Sequence, residues 1–199
     1  MPDFTYERLE KGPVCGVDEA GCGPLAGDVY AAAVILNEEI EGLDDSKKLT
    51  EAKRERIYDE IIKRADAFAI GTASVEEIDS INILKAAQLA MKRAVSALSI
   101  RPATALVDGN KRPDLGEGIK VVPIIAGDSK SFSIAAASVL AKVARDRYMS
   151  ALAKNYPEYF FEQHKGYPTK RHYEMLEKYG PIDIHRKTFL RKLREKVHG

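Results

Sequence analysis

Apolar positions along the chain follow two rhythms. Residues 13–17 and 29–36 are short, almost unbroken apolar runs bounded by glycine and acids, a pattern that predicts buried strands. Residues 67–74, 103–107 and 119–125 repeat it, giving five strands in all. Between them the spacing changes. Ile57, Ile61 and Ala65 recur every fourth residue behind Thr50, a good N-cap, and predict an amphipathic helix. Ser74-Val75-Glu76-Glu77 has capping-box spacing and predicts one helix from Val75 to about Leu98, with Leu84, Ala87, Met91, Ala94 and Leu98 on its buried face. A long helix over residues 133–154 opens on Ala135-Ala136-Ala137-Ser138, small enough for a neighbouring backbone to come close. Pro168 suits the first turn of a helix ending near Gly180-Pro181, and a basic helix over 185–196 closes the chain. Residues 1–11 read as a loosely tied start. Strands alternating with helices, without repeat or linker, make this an α/β chain.

Composition narrows the picture. A chain of 199 residues fits one compact domain, and 45% apolar with 31% charged residues is ordinary for a soluble protein. No apolar run approaches the length of a membrane span, and no signal-peptide pattern opens the chain. Cys15 and Cys22 are too few for a disulfide scaffold or a zinc site, which points to a reducing, cytoplasmic setting. The net charge is only +1, but from His164 onward ten Lys or Arg face four Asp or Glu. A basic tail on an acidic body suits a polyanion gripped near carboxylates.

Those carboxylates stand at strand ends. Asp18 and Glu19 close the first strand, Asp108 the fourth, and Asp128 follows the fifth. Adjacent strand residues point to opposite faces, so Asp18 and Glu19 approach a shared site from different directions. Gly21, Gly23 and Gly27 then let the chain turn and a ligand approach bare backbone. In open α/β sheets, ligands gather where strand ends meet. Four hard oxygen donors suit Mg²⁺ or Mn²⁺, and the chemistry suggested is two-metal phosphodiester hydrolysis. Two rivals share parts of this pattern. An actin-like ATPase would want a second glycine-rich phosphate loop, but Asp108-Gly109-Asn110-Lys111-Arg112-Pro113 is poor in glycine. A non-catalytic nucleic-acid module would explain the basic tail but not four acids.

Eight segments then occur in order: Val17-Asp18-Glu19-Ala20-Gly21, Gly23-Pro24-Leu25-Ala26-Gly27, Asp45-Ser46-Lys47-Lys48-Leu49, Val107-Asp108-Gly109-Asn110, Gly127-Asp128-Ser129-Lys130-Ser131, Ser133-Ile134-Ala135-Ala136-Ala137-Ser138, Ala141-Lys142-Val143 and Lys165-Gly166-Tyr167-Pro168-Thr169. Together they resemble the motif series of ribonuclease HII, the type 2 ribonuclease H. The resemblance implies a ribonuclease H-like fold: a central mixed five-stranded sheet flanked by helices. Residues 1–160 would form the catalytic domain, and 161–199 a small basic helical extension packed on it. It implies cleavage of the RNA strand of RNA–DNA hybrids and incision at ribonucleotides in duplex DNA, leaving 3′-hydroxyl and 5′-phosphate ends. A monomer is expected. Asp18, Glu19, Asp108 and Asp128 correspond to the metal-binding acids, and Gly21 and Gly23, flanking Cys22, to the backbone that reads the ribose 2′-OH. Tyr167 corresponds to a tyrosine that stacks on the following sugar. Lys47, Lys48, Lys130 and Lys142, with Ser133, complete the expected substrate contacts. The family usually has Arg where this chain has Cys22, and often Pro where it has Asp28. Cys22 is expected in an exposed loop, and His164, His172 and His185 in surface or capping roles.

Overall fold

The computed structural model describes residues 2–191. After a short helix α1 (Thr5–Arg8), strands β1 (Val14–Ala20), β2 (Val29–Ile35), β3 (Ala67–Ala73), β4 (Thr104–Asp108) and β5 (Lys120–Ile124) form one sheet in the order β3-β2-β1-β4-β5. β1 pairs antiparallel with β2, and β2 with β3, whereas β1, β4 and β5 run parallel. The five-stranded mixed sheet is therefore as expected. Helices α2 (Glu51–Arg64), α3 (Val75–Ile81), α4 (Ile83–Ser96), α5 (Phe132–Asn155), α6 (Phe161–His164) and α7 (Lys170–Tyr179) cover it and extend one end. Residues 187–191 begin a further helical stretch, and the rest of the basic helix expected there lies outside the described residues.

Both sheet faces are buried. Cys15, Val17, Val29, Ala31 and Ala33 pack against Ala86, Ala90, Met91 and Ala94 of α4. The alternate residues Ala32 and Val34 pack with Ala136, Val139 and Leu140 of α5 and with Ile57 and Ile61 of α2. The central strands read as unbroken apolar runs because both of their sides are covered. β1 and α5 approach so closely that a Cβ on Gly16 would lie 2.0 Å from the Ser133 carbonyl carbon.

The expected helix over residues 75–98 is two helices. Asn82 turns to φ 69°, ends α3, and accepts the Lys85 amide through its side chain to start α4. Within α4, Ala87, Met91 and Ala94 are buried, while Leu84, in its first turn, is half exposed. α7 is capped by Thr169, which places Pro168 before the helix and outside its first turn.

Gly16→Ala should force β1 and α5 apart and cost at least about 3 kcal/mol, the upper range for overpacking, because backbone cannot yield as a side chain can. Urea unfolding of both proteins measures this. An equal midpoint would contradict the close approach.

Candidate active site

The register of the parallel pair decides where the acids meet. Val17 lies opposite Val107, so Asp18 and Asp108 leave adjacent strand ends on the same face, the one covered by α5. A 3₁₀ turn, Gly127–Ser129, then carries Asp128 back toward them, and the Gly127 amide donates to Asp108 Oδ1 at 2.6 Å. One carboxylate oxygen from each of Asp18, Asp108 and Asp128 lies within 4.8 Å of the others. Glu19 falls outside this trio because strand alternation turns it toward α4. It nonetheless lines the same cavity of about 250 Å³, together with Asp18, Asp108, Gly21, Cys22, Gly23, Lys47, Lys142 and Tyr167.

Such crowding has an electrostatic cost. Burial, then the charges of Glu19 and Asp108, pushes the Asp18 carboxyl well above its ordinary range. Burial and Asp108 push Glu19 and Asp128 up in the same way. Lys47 Nζ stands 3.2 Å from Asp128 Oδ2, but its side chain is mostly exposed and so weakly compensating. Clustered hard oxygen donors that repel one another fit a divalent cation of the Mg²⁺ or Mn²⁺ kind. Asp18 also takes a hydrogen bond from Ser138, whose Oγ lies 2.8 Å from that of Ser46. The buried Ser46 thereby fixes the loop that presents Lys47, a linkage visible in the sequence only as two serines inside motifs.

Opposite the acids runs the glycine loop, shaped by two arginines that sequence reasoning missed. Arg186, fully buried, donates to the carbonyls of Gly21, Cys22, Pro24 and Gly27. Arg145, also buried, donates to those of Ala26, Asp28 and Lys165. Burial, then the charge of Arg145, pushes Arg186 down to about 10, still protonated at neutral pH. In a trans peptide, carbonyl and amide point in opposite directions, so these bonds turn the Cys22 and Gly23 amides away from Arg186. Gly23 is exposed, and a Cβ there would stand 3.7 Å from the Tyr167 ring. Tyr167 is 38% exposed, with Lys142 Nζ and the Arg145 guanidinium 5.9 and 5.8 Å from its ring centre.

The structure also places the remaining residues that the sequence marked. Ser133 is fully buried, its amide held by Glu7 of α1, and has no face to offer a substrate. Lys130 is exposed but spends its ammonium on the Ile125 carbonyl, and Lys48 pairs with Asp44. Cys22 is half-buried, with Sγ 3.7 Å from Glu19 Oε1; burial, then the Glu19 charge, pushes its thiol up to about 12. Asp28 accepts the Val75 amide at the start of α3. His164, His172 and His185 are buried together behind Tyr167 and not on the surface, although His164 closes α6 and meets the Tyr159 carbonyl that ends the turn before it.

Acids converging at the ends of parallel strands in a mixed sheet define a nuclease of the ribonuclease H-like class. Solved structures share this fold. Ribonuclease H2 from Pyrococcus horikoshii superposes with a TM-score of 0.75 at 29% identity, covering 94% of this chain and 99% of that one. Archaeoglobus fulgidus RNase HII, solved in complex with PCNA, gives 0.76 at 27% identity, covering 88% and 94%. The ribonuclease HII family profile matches residues 15–192. Ribonuclease HII from Caldicellulosiruptor bescii is 54% identical over 182 residues, 90% of this chain and 87% of that protein. The enzyme from Shewanella pealeana is 54% identical over 191 residues, 94% and 93% of the two chains. The chain belongs to the ribonuclease HII family. It is a metal-dependent endoribonuclease that cuts the RNA strand of RNA–DNA hybrids. No helix among the described residues is long and apolar enough to cross a membrane.

Two outcomes follow from this geometry. Raised folded-state values mean that protonated acids favour the fold. That stability is fully present below the ordinary carboxylate range and is lost as pH rises through the raised values. At pH 7 in chelator, Asp18→Asn should therefore melt higher than the wild type, by about 2–4 °C for each kcal/mol relieved. The gap should close toward pH 3, and a lower melting temperature at pH 7 would contradict the repulsion. Arg186→Met, which orphans four carbonyls, three of them buried, should lower stability by at least about 3 kcal/mol in denaturant titration. Arg186→Lys should recover only part of it, since an ammonium lacks the planar fork.

Proposed function

We propose that this chain incises duplex DNA at single embedded ribonucleotides as well as cutting RNA–DNA hybrids, leaving 3′-hydroxyl and 5′-phosphate ends. The observation that carries this reading is the convergence of Asp18, Asp108 and Asp128 opposite a glycine loop whose amides are turned outward beside Tyr167. Asp18, Glu19, Asp108 and Asp128 would hold two Mg²⁺ or Mn²⁺ ions, which supply an activated water and charge at the leaving 3′ oxygen. The chain's own residues provide recognition. The Cys22 and Gly23 amides of the Gly21–Gly23 loop meet the 2′-OH, the only group that separates ribose from deoxyribose at one nucleotide. Tyr167 stacks on the next sugar, and so senses where RNA gives way to DNA. Lys47 and Lys142, which line the cavity, would meet the phosphates of the substrate, with Lys48 and Lys130 as further candidates for such contacts. The reading takes 161–199 as an extension that completes the 1–160 catalytic domain by supplying Tyr167. It also takes the enzyme as a monomer in the cytoplasm, a setting that suits the free thiols Cys15 and Cys22.

The test is cleavage of end-labelled duplexes carrying no ribonucleotide, one ribonucleotide or a uniform RNA strand, each with Mg²⁺, Mn²⁺ or chelator. Cutting at the single ribonucleotide only with metal is expected, and Asp128→Asn should abolish it. Tyr167→Ala should lose about 1–3 kcal/mol of stacking, chiefly on the embedded ribonucleotide, while Tyr167→Phe retains most of it. Cleavage of uniform hybrid alone would refute the incision reading, and equal Tyr167→Ala losses on both substrates would refute the junction role.

A further inference from the structure

Behind Tyr167, the side chains of His164, His172 and His185 are buried with Phe161 and Tyr159. The His164 and His172 rings stack with centres 4.4 Å apart, and the Phe161 ring stands nearly perpendicular to both. Every ring nitrogen has a partner, and the carbonyl facing His172 sets the tautomers of the pair. The Tyr167 carbonyl can only accept, so His172 Nδ1, 3.0 Å away, carries a proton. Burial pushes His172 and His185 down to about 4, so both rings are neutral at pH 7. His172 Nε2 must then accept from His185 Nε2–H, 3.1 Å away. Of the two Ile182 groups beside His185 Nδ1, the tautomer set through His172 selects the amide, which donates to it at 3.0 Å, over the carbonyl at 3.3 Å. His164 holds the other side: Nδ1 accepts the Gly166 amide at 3.2 Å, and Nε2–H donates to the Tyr159 carbonyl at 2.8 Å. One directed chain of hydrogen bonds thus runs from Ile182 through His185 and His172 to the main chain of Tyr167.

The neighbour of His185 is Arg186, the clamp on the glycine loop. Ile184 and Arg186 are bonded to that loop as well, through Gly27 N to Ile184 O and Arg186 N to Leu25 O, both at 2.8 Å. A single short segment therefore ties together the loop facing the ribose and the tyrosine facing the next sugar.

We propose that His172 and His185 are positioning residues, which set Tyr167 at a fixed distance from the glycine loop and so set the selectivity for the RNA–DNA junction. The proposal rests on the stacking role given to Tyr167 above. Neither ring touches the substrate. Each acts through the Tyr167 carbonyl, and the pair works only in the tautomers His172 Nδ1–H and His185 Nε2–H. A hydrocarbon of similar size preserves the packing but cuts the chain. An Asn at 172 keeps a donor near the Nδ1 position, and a Gln at 185 keeps one near Nε2.

The test has a spectroscopic arm and a kinetic arm. Long-range ¹⁵N–¹H correlation on histidine-labelled wild-type protein should show His172 as the Nδ1–H tautomer, with His164 and His185 as Nε2–H; an Nε2–H tautomer for His172 overturns the proposal. In cleavage, His172→Leu should lower kcat/KM on the embedded ribonucleotide relative to uniform hybrid by about tenfold, a part of what stacking supplies. His172→Asn should restore most of that ratio, and in a Tyr167→Ala background His172→Leu should not change it further. Equal loss on both substrates with no rescue by Asn means that the histidine only supports the fold, and refutes the proposal. Should His172→Leu not fold, His185→Leu against His185→Gln makes the same comparison. If Tyr167→Ala itself leaves the ratio unchanged, the stacking reading fails on its own. The lock is then judged by the Tyr167 ring resonances, which move in His172→Leu if it holds and stay in place if it does not.

Discussion

Two buried guanidiniums set the shape of the recognition half of this site. Arg186 and Arg145 carry charge where water cannot reach, and no carboxylate bridges to either among the described residues. They are solvated instead by main-chain carbonyls of residues 21–28 and 165. Desolvating a cation costs several kcal/mol, which only a nearly complete set of acceptors offsets. The loop has little freedom to choose another conformation, because any other would leave a buried charge without partners. Outward amides and inward carbonyls are two sides of that one constraint.

The acidic half obeys the opposite logic. Asp18, Glu19 and Asp128 are each held where burial and a neighbouring acid disfavour their charge. No cation among the described residues neutralises them fully, since Lys47 stands largely in solvent. A fold that keeps such a cluster gives up stability for affinity toward divalent cations. The apolar sheet beneath, sealed on both faces by α4 and α5, supplies the rigidity that keeps the carboxylates from drifting apart. One half of the site is thus fixed by satisfied hydrogen bonds, the other by a scaffold that withstands repulsion.

The sequence by itself determined the alternation of five strands with helices, because apolar runs and caps are local signals. It also marked Asp18, Glu19, Asp108 and Asp128, since acids at the ends of apolar runs stand out without any knowledge of pairing. It could not show that Glu19 leaves the trio formed by the other three, which depends on which face of β1 each neighbouring helix covers. The break at Asn82 was within reach, because Asn both tolerates positive φ and caps helices, but the apolar spacing ran on across it and argued for continuity. Ser133 looked like a site residue because it sits inside a motif; only packing shows that Gly16 and Glu7 enclose it. The arginines and histidines were least legible. Arg186 reads as one more charge in a basic tail, and His172 and His185 as polar surface. Their burial arises from contacts between segments more than a hundred residues apart for Arg186 and thirteen for the histidine pair. Hydrogen bonds of that kind leave no periodicity in a chain, so tertiary structure alone decided that these residues stand behind the glycine loop and Tyr167.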